Sequence, residues 1–376
     1  MAGIYLHIPF CKRRCLYCDF YSTTRDEMKH RYTAALCKEL ELRKSYIDGE
    51  PIETIYWGGG TPSQLSREDF GQVFETIHHI YKVSPDAEIT IEANPDDLND
   101  EYVSMLRTLP FNRLSMGIQT FNDESLSLLH RRHTAQQAIE AFRRCRDAGF
   151  NNISIDLMYG LPNETEQTWA NDLEQAIEMR PEHISAYHLI YEEGTPLWKL
   201  REQHRVEEAD EDLSVRLFTI LIHRLKEAGY QHYEISNFSL PGLHSRHNSS
   251  YWVGKKYLGC GASAHSFDGH SRQWNVASID RYIDATENGT LDFEIEKLDH
   301  ATRYNDFVIT AIRTCWGMSL DKLKNDFGTR LYDYCLRMAR PHIEQGTLQI
   351  TDGTLRLTEQ GIFVSDGIMS DMLWVE

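Results

Sequence analysis

The 376-residue sequence has no run of about 20 apolar residues, the length that a membrane-spanning helix needs. Its first residues also lack the basic, apolar and small-residue order of a secretory signal. Disulfide frameworks belong mainly to small secreted chains, and this chain is too long to depend on one. We therefore expect a cytoplasmic protein whose eight cysteines are reduced.

Basic residues are also few: the sequence has 39 of them against 57 acidic residues, which gives a formal net charge of -18. Such a chain repels phosphate backbones and anionic membrane surfaces at long range, so no nucleic-acid partner is expected. Repeats and low-complexity tracts are missing as well. A hydrophobic content of 41% at this length predicts a large globular domain with a smaller one.

Short apolar segments alternate with amphipathic ones over the first 190 residues. Six of them are predicted strands, at 4–7, 54–57, 88–92, 113–117, 153–157 and 183–189. Five segments with helical spacing lie between them, at 28–46, 67–81, 100–109, 135–148 and 166–179. This alternation predicts a parallel sheet with right-handed crossovers, either an open doubly wound sheet or a barrel or part-barrel.

Polar residues at the strand ends favour the barrel. Five features lie at or just beyond the ends of successive strands: Tyr5 with His7, the turn 58–62, Glu92, Gln119 and Asp156. Barrel enzymes build their sites from that rim. Any single member of the set is equally explained as a helix cap.

The alternation fades after about residue 208. A long helix is predicted over 210–228, followed by an irregular stretch over 230–275. Helices at 301–314, 320–327 and 332–344 then precede a hairpin around Asp352, an order similar to a winged-helix module. We predict three regions, 1–229, 230–298 and 299–376, with the last acting as a lid or scaffold rather than a DNA reader.

Cys11, Cys15 and Cys18 are separated by three and then two residues. One short loop can wrap such thiolates around a four-iron cluster, and three ligands leave one iron open for a substrate. A zinc site completed by His7 or His30 is the alternative. The other cysteines are scattered and are expected to be small buried hydrophobic residues: Cys37, Cys145, Cys260, Cys315 and Cys335.

With this loop, the motifs at 5–11, 57–62, 92–95, 117–122 and 156–162 resemble the radical S-adenosylmethionine family. They are similar to the branch that holds oxygen-independent coproporphyrinogen III oxidases and HemW-type heme chaperones, and the resemblance covers nearly the whole chain. It implies an α/β fold, a partial (β/α)6 TIM-like barrel with a C-terminal helical, winged-helix-like module. It also implies a [4Fe-4S] cluster and S-adenosylmethionine as cofactors.

The resemblance further implies which residues contact adenosylmethionine: Tyr5, Tyr17, Gly58, Gly59, Gly60, Thr61, Glu92, Gln119, Arg131, Asp156 and Ile190. Glycines let the backbone approach the ligand closely. Glu92 can neutralise its cationic part, Arg131 can pair with its carboxylate, and Asp156 can accept from ribose hydroxyls. Tight turns and surface ion pairs are the ordinary explanations of the same residues.

Three departures separate this chain from the oxidases. Asp19 and Phe20 follow Cys18 where the oxidases have a further cysteine, and ten residues precede Cys11 where the oxidases have a long arm. The third is the motif His247 to Trp252, which resembles the HemW signature implicated in holding heme. It implies a heme site at His247, Tyr251 and Trp252, with His265 as a second ligand candidate.

Three functions follow as hypotheses. The favoured one is a HemW-like chaperone that binds heme and transfers it to hemoproteins, including membrane ones. The alternative is an enzyme that decarboxylates coproporphyrinogen III to protoporphyrinogen IX through a 5'-deoxyadenosyl radical. The third, an electron carrier without substrate, leaves the other polar residues of the rim unused.

Partner predictions rest on the basic trio Lys12, Arg13 and Arg14 in an acidic chain. This trio suits heme propionates or an acidic electron donor such as a flavodoxin or ferredoxin. A solvated loop explains it equally well, and the sequence leaves open whether the chain forms a homodimer.

Overall fold

The computed structural model describes residues 2–375. Six parallel strands form its centre, and each predicted strand is present: β1 (Ala2–Ile8), β2 (Ile52–Gly59), β3 (Val83–Ala93), β4 (Arg113–Gln119), β5 (Ile153–Tyr159) and β6 (His183–His188). They pair in chain order, all in parallel. Their carboxyl ends therefore meet at one edge, where polar loop residues can converge.

Helices connect and follow these strands: α1 (Lys29–Leu42), α2 (Arg67–Ile80), α3 (Asp100–Leu106), α4 (Asp123–Leu128), α5 (Ala135–Asp147), α6 (Glu166–Met179), α7 (Pro196–Glu202) and α8 (Glu211–Glu227). Side-chain caps explain several of the starts. Ser66 before α2 and Thr134 before α5 each form a capping box with the residue three positions on. The long helices cover the sheet and bury Trp57 and Trp169 in the main core.

The segment 230–298 is not irregular, so that prediction is wrong. It holds β7 (Gln231–Glu234), β8 (Asn237–Ser239), α9 (Arg246–Trp252), β9 (Tyr257–Cys260), β10 (His265–Phe267), β11 (Ser271–Asn275), α10 (Ile279–Glu287) and β12 (Phe293–Lys297). These strands are short, and β11 buries Ser271, Gln273 and Asn275 on its inner face, so no apolar alternation marks it.

The added strands extend the central sheet at both ends. The order is β12-β11-β10-β9-β1-β2-β3-β4-β5-β6-β8-β7. β9 pairs in parallel with β1, while the other added strands pair antiparallel. Within residues 2–375, β12 and β7 are the two edges, so the sheet is an open part-barrel, as the sequence predicts.

The C-terminal module has its own core around Tyr304, Leu323 and Leu355. Its elements are α11 (His300–Ile312), β13 (Met318–Ser319), α12 (Leu320–Glu344), β14 (Leu348–Thr351), β15 (Thr354–Leu357), α13 (Glu359–Ile362) and α14 (Ser365–Met372). The two helices predicted over 320–344 are both present within α12, which is interrupted at Gly328, where φ of 78° and ψ of 173° are not helical. A three-stranded antiparallel sheet completes the helical module and gives it the predicted winged-helix character.

Polar contacts fix the module to the part-barrel. Arg313 pairs with buried Glu234 at 2.7 Å, and the Cys315 amide donates to the Tyr233 carbonyl at 2.9 Å. Arg272 of β11 pairs with Asp306 of α11. Nowhere in residues 2–375 does the chain form a helix with both the length and the apolar character needed to cross a bilayer.

Candidate functional site

A cavity of about 450 Å³ lies at the carboxyl ends of the central strands. It brings together twelve of the residues that the sequence assigns to the cluster and to adenosylmethionine: Cys11, Cys15, Tyr17, Cys18, Gly59, Gly60, Thr61, Glu92, Gln119, Arg131, Asp156 and Ile190. These residues lie up to 179 positions apart in the chain, so the parallel topology assembles them.

The loop that carries the three cysteines is held by backbone bonds on both sides. The Cys11 amide donates to the Thr23 carbonyl at 2.9 Å, and the Thr23 amide donates to the Pro9 carbonyl at 2.7 Å. Leu16 connects the loop to more distant segments, donating to Leu129 and accepting from Leu197. The thiols are therefore presented by a fixed loop rather than by a free one.

Each of two thiols has a polar neighbour from another loop, Thr61 after β2 and Arg131 between α4 and α5. The Thr61 hydroxyl donates to Cys11 Sγ at 3.3 Å, and Arg131 Nη1 lies 3.4 Å from Cys15 Sγ. Burial raises the pKa of the Cys11 thiol, and it raises that of Cys18 to about 11. Because iron binds thiolates, loading a cluster here would release protons.

The two histidines that could complete a zinc site are engaged elsewhere. His7 Nε2 lies 2.9 Å from the Tyr21 carbonyl oxygen, and its Nδ1 lies 3.1 Å from the Tyr5 hydroxyl. His30 lies on α1, 3.9 Å from Asp69. His7 therefore has both ring nitrogens in hydrogen-bond contact with groups other than the thiols, and the contact that His30 makes is with a carboxylate.

The glycine turn after β2 is required by close backbone packing as well as by any ligand. A Cβ at Gly60 would lie 2.7 Å from the Pro9 carbonyl carbon, and one at Gly59 would lie 2.6 Å from the His7 ring. Gly59 also has φ of 109°, which side chains disfavour. Gly58 belongs to the same turn, but it is not on the cavity wall.

Glu92 ends β3 with its carboxylate held toward the cavity. It accepts from the Tyr56 hydroxyl at 2.8 Å and from the Gly59 amide at 3.1 Å. Desolvation by burial, with a smaller contribution from the nearby Asp156, raises its pKa to about 7. A cationic ligand would favour the ionised form and replace the lost solvation.

Asp156 lies on β5, next to Gly117 on one side and Ser185 on the other. Burial raises its pKa to about 6, and the Ser115 hydroxyl lies 3.4 Å from both of its oxygens. Gln119 ends β4 in the left-handed region, with φ of 72°. Two partly buried carboxylates and a strained amide residue therefore face the same space.

Arg131 is the central cation of the site. It donates to the Asn94 side chain at 2.6 Å and to the Gly117 carbonyl at 2.5 Å, besides contacting Cys15. Its Nε is buried without a hydrogen-bond partner among the described residues. That orphaned donor, on a guanidinium already fixed in place, fits the carboxylate of a bound amino acid.

Arg113 is a second buried cation that the sequence did not single out. It lines the cavity at 1% exposure, and its Nε and Nη1 have no hydrogen-bond partner among the described residues. Its charge lowers the pKa of both Glu92 and Asp156, partly offsetting their burial. The cavity thus carries unsatisfied donors beside two carboxylates, as a site for a zwitterionic ligand would.

Asp97 is another residue that sequence reasoning missed. Its buried carboxylate accepts from Lys12 at 2.9 Å, Ser63 at 2.8 Å and Gln64 at 2.6 Å, and it pairs with Arg132. It therefore ties the cysteine loop to the turns after β2 and β3. In the sequence, the indication of its role is its position two residues after the 92–95 motif.

Tyr5 does not line this cavity, although the sequence places it there. It faces a second cavity of about 790 Å³, which lies between β9–β11 and the C-terminal module. Tyr251 and Trp252 also line this second cavity, as does His265. Phe20, 64% exposed, lies on the walls of both cavities.

The structure does not present His247 to either cavity. The side chain is 1% exposed, with Nδ1 2.8 Å from the Thr54 hydroxyl and Nε2 2.7 Å from the Tyr251 hydroxyl. Its ring stacks on Tyr56 with 4.9 Å between centroids. Both ring nitrogens are engaged in this conformation, so the prediction of His247 as a heme ligand does not match its surroundings.

Comparisons with known proteins agree with this geometry. Residues 5–176 match the Radical SAM superfamily, and residues 298–364 match the HemN C-terminal domain. The structure is similar to that of coproporphyrinogen III oxidase (HemN) from Escherichia coli, with a TM-score of 0.85 and 23% identity over 99% of this chain and 90% of that one. At that identity, the likeness establishes the fold.

Full-length relatives establish the family. The heme chaperone HemW of Bacillus subtilis is 32% identical over 99% of both chains, and that of Mycobacterium tuberculosis is 31% identical over 99% of this chain and 94% of its own. HemW of Escherichia coli is 37% identical over 70% of this chain and 69% of its own. The chain therefore belongs to the HemW family, within the radical SAM superfamily, whose cofactors are a [4Fe-4S] cluster and S-adenosylmethionine.

Proposed function

We propose that this protein is a heme chaperone, which binds heme and passes it to hemoproteins. The observation that carries the proposal is the second cavity, whose volume of about 790 Å³ falls in the range of ligand sites. Its wall is rich in aromatic side chains: Tyr5, Phe20, Tyr21, Tyr251, Trp252, Tyr257, Phe267, Phe307, Trp316 and Phe327. The HemW relatives, named as heme chaperones, support the same function.

The cluster and adenosylmethionine belong to the first cavity. Cys11, Cys15 and Cys18 would hold the cluster, and Glu92 and Arg131 would bind the ligand at the open iron. The bound cluster supplies electrons to adenosylmethionine. The residues of the chain would orient the ligand through Glu92 and Arg131, which are both partly buried at the cavity wall.

An enzyme is the alternative function, because the chain shares its fold with a coproporphyrinogen III oxidase. Two assays separate the functions. Protein loaded with heme is mixed with an apo-cytochrome from respiratory membranes, and the transfer rate is compared with spontaneous heme loss to excess apomyoglobin. A chaperone should transfer heme to the apo-cytochrome faster than it loses heme to apomyoglobin. In the second assay, with reductant and adenosylmethionine present, it should leave coproporphyrinogen III unchanged.

Two outcomes would overturn the proposal. Transfer no faster than spontaneous loss would remove the chaperone function. Conversion of coproporphyrinogen III to protoporphyrinogen IX would establish the oxidase instead.

The partners and location follow from the same proposal. Heme acceptors, including membrane hemoproteins, would approach a cytoplasmic protein from its second cavity. An electron donor such as a flavodoxin or ferredoxin would dock at the cysteine loop, where Arg13 and Arg14 line the first cavity. The absence of nucleic-acid partners stays a prediction from sequence, and a homodimer is a possibility that the sequence leaves open.

A further inference from the structure

We propose that strand β12 is a docking edge, where an extended, basic segment of a partner protein adds a further strand to the central sheet. The inference goes beyond the proposed function and does not depend on heme or on the cluster. Three features of β12 carry it: unpaired backbone groups along its outer edge, uncovered apolar side chains on one face, and an excess of negative charge on the other face.

The outer edge of β12 offers backbone donors and acceptors that nothing within residues 2–375 uses. The strand pairs antiparallel with β11 in an unbroken register, and bonded and non-bonded pairs alternate along such a ladder. The Val276 amide donates to the Asp292 carbonyl at 2.9 Å, and the Leu298 amide donates to the His270 carbonyl at 3.0 Å. These two bonds fix the phase of the alternation. The amides and carbonyls that point away from β11 therefore belong to Phe293, Ile295 and Lys297.

Two apolar side chains of β12 are left uncovered. Phe293 is 40% exposed and Ile295 is 53% exposed. They lie opposite Asn275 and Gln273 of β11, whose side chains are both buried. Because directly opposite residues point to the same face of a sheet, the layer that packs on this face covers β11 and stops short of β12. A further strand would bring its own apolar side chains beside Phe293 and Ile295 and remove them from water.

The other face of β12 is acidic. Glu294 has no ion-pair partner among the described residues, and Glu296 shares Arg272 with Asp306. The basic residue of the strand, Lys297, lies on the apolar face, because successive side chains alternate. A basic side chain of an added strand would lie next to Glu294 and balance its charge. The segment that fits this edge therefore alternates apolar with basic residues.

A second copy of this chain fits the edge less well than a basic segment does. Two β12 strands paired antiparallel about Ile295 would place Glu294 of each copy opposite Glu296 of the other. Like charges directly opposite each other destabilise a sheet. Each copy also carries a formal net charge of -18, so the two copies repel each other at long range. A basic partner avoids both costs.

The experiment follows the fluorescence anisotropy of a labelled peptide that alternates lysine with valine, as full-length protein is added. An analogue that alternates glutamate with valine is titrated in the same way. The wild type should bind the lysine peptide and not the glutamate peptide. Bound lysine peptide should also slow hydrogen exchange at the outward amides of β12. The amides of Glu294 and Glu296, which already donate to β11, should change little.

Two variants and one control locate the binding. Ile295→Pro removes an outward amide and no bond to β11, so the variant should fold as the wild type does and bind the lysine peptide about tenfold or more weakly. Glu294→Lys should weaken the lysine peptide by a similar factor and bind the glutamate peptide more tightly than the wild type does. Ile350→Pro is the matched control, because Ile350 is 45% exposed on edge strand β14 and its amide also points away from the neighbouring strand. The control should bind as the wild type does.

Two results would overturn the docking edge. One is the absence of saturable binding of the lysine peptide to the wild type, and the other is unchanged binding in either folded variant. If Ile295→Pro does not fold, Glu294→Lys, which changes an exposed side chain, decides alone. Sedimentation of the protein without peptide tests the other occupant. A dimer that Ile295→Pro dissociates would overturn the basic partner in favour of a second copy.

Discussion

The Tyr56 hydroxyl donates to Glu92 at 2.8 Å, and this bond holds a buried carboxylate at the mouth of the glycine turn. Because burial raises the pKa of Glu92 to about 7, the residue is only half ionised at neutral pH in the empty site. A ligand with a fixed positive charge must bind the ionised form. The affinity for adenosylmethionine is therefore linked to the titration of this one group.

We predict that adenosylmethionine binds about tenfold more tightly at pH 8 than at pH 6, since Glu92 is mostly ionised only at the higher pH. Calorimetric titration of the anaerobic protein measures this. Glu92→Gln should bind weakly at both pH values, with a shallower dependence left by Asp156, whose pKa is about 6. Equal affinities of the wild type at the two pH values would contradict the role of Glu92.

The same carboxylate should reduce the stability of the empty protein. Its pKa is higher in the folded state than in the unfolded state, so the folded state binds more protons between pH 4.5 and 7 and loses stability as pH rises through that window. Glu92→Gln should raise the free energy of unfolding at pH 8 by up to about 3 kcal/mol. Urea unfolding of the cluster-free protein measures it, and a destabilised variant at pH 8 would refute the argument.

Cys15→Ser should abolish the broad visible absorption of the cluster after anaerobic reconstitution, because a cubane bound by two thiolates is not retained. The matched control is Cys315→Ser, at an exposed cysteine of the C-terminal module. The control should hold as much iron and sulfide as the wild type. A full cluster in Cys15→Ser would remove that residue from the ligand set.

His247 should behave as a structural residue with an acid-sensitive contribution to folding. Burial lowers the pKa of His247 to about 3. Below pH 6.5 the unfolded state therefore binds a proton at this histidine that the folded state does not bind, and the stability of the folded state falls as pH falls. In His247→Gln, the loss of stability between pH 7 and pH 5 should shrink by about 2 kcal/mol. Urea unfolding at both pH values measures this, and a pH dependence in His247→Gln equal to that of the wild type would contradict the prediction.

Asp97 should control whether the cysteine loop is ordered. Asp97→Asn removes the buried carboxylate that pairs with Lys12 and Arg132, although Arg132 keeps its pair with Asp96, and it should lower the free energy of unfolding by about 1–3 kcal/mol. It should also lower the iron content after reconstitution. Asp100→Asn is the control, because its pair with Arg144 is exposed and worth less than about 1 kcal/mol. Equal effects of the two substitutions would contradict the distinction.

The central fold was predictable because its elements have clear periodicity. Helix α6 begins and ends at the predicted residues, Glu166 and Met179, and the six parallel strands fall where short apolar runs indicate them. The edge strands were not predictable, since β11 buries polar residues and the hydrogen bonds that satisfy them come from distant segments. Asn275, for example, donates to Glu39 of α1 at 2.7 Å.

The first cavity was largely predictable and the second was not. Topology alone brings the strand ends together, so motifs at the ends of β1 to β5 had to converge. The surroundings of His247 depend on contacts with Thr54 and Tyr56, far away in the sequence, and no local pattern distinguishes a buried histidine from an exposed one. The roles of Arg113 and Asp97 were missed for the same reason, since they depend on contacts between residues that are distant in the sequence.

The central claim is that three thiolates hold a four-iron cluster whose remaining iron accepts adenosylmethionine. EPR spectroscopy of the reduced, anaerobically prepared protein, with and without adenosylmethionine, tests it most directly. We predict about four iron and four sulfide per chain and a cluster signal whose g values shift when the ligand is added. Zinc in place of iron, or a cluster signal that adenosylmethionine leaves unchanged, would contradict it.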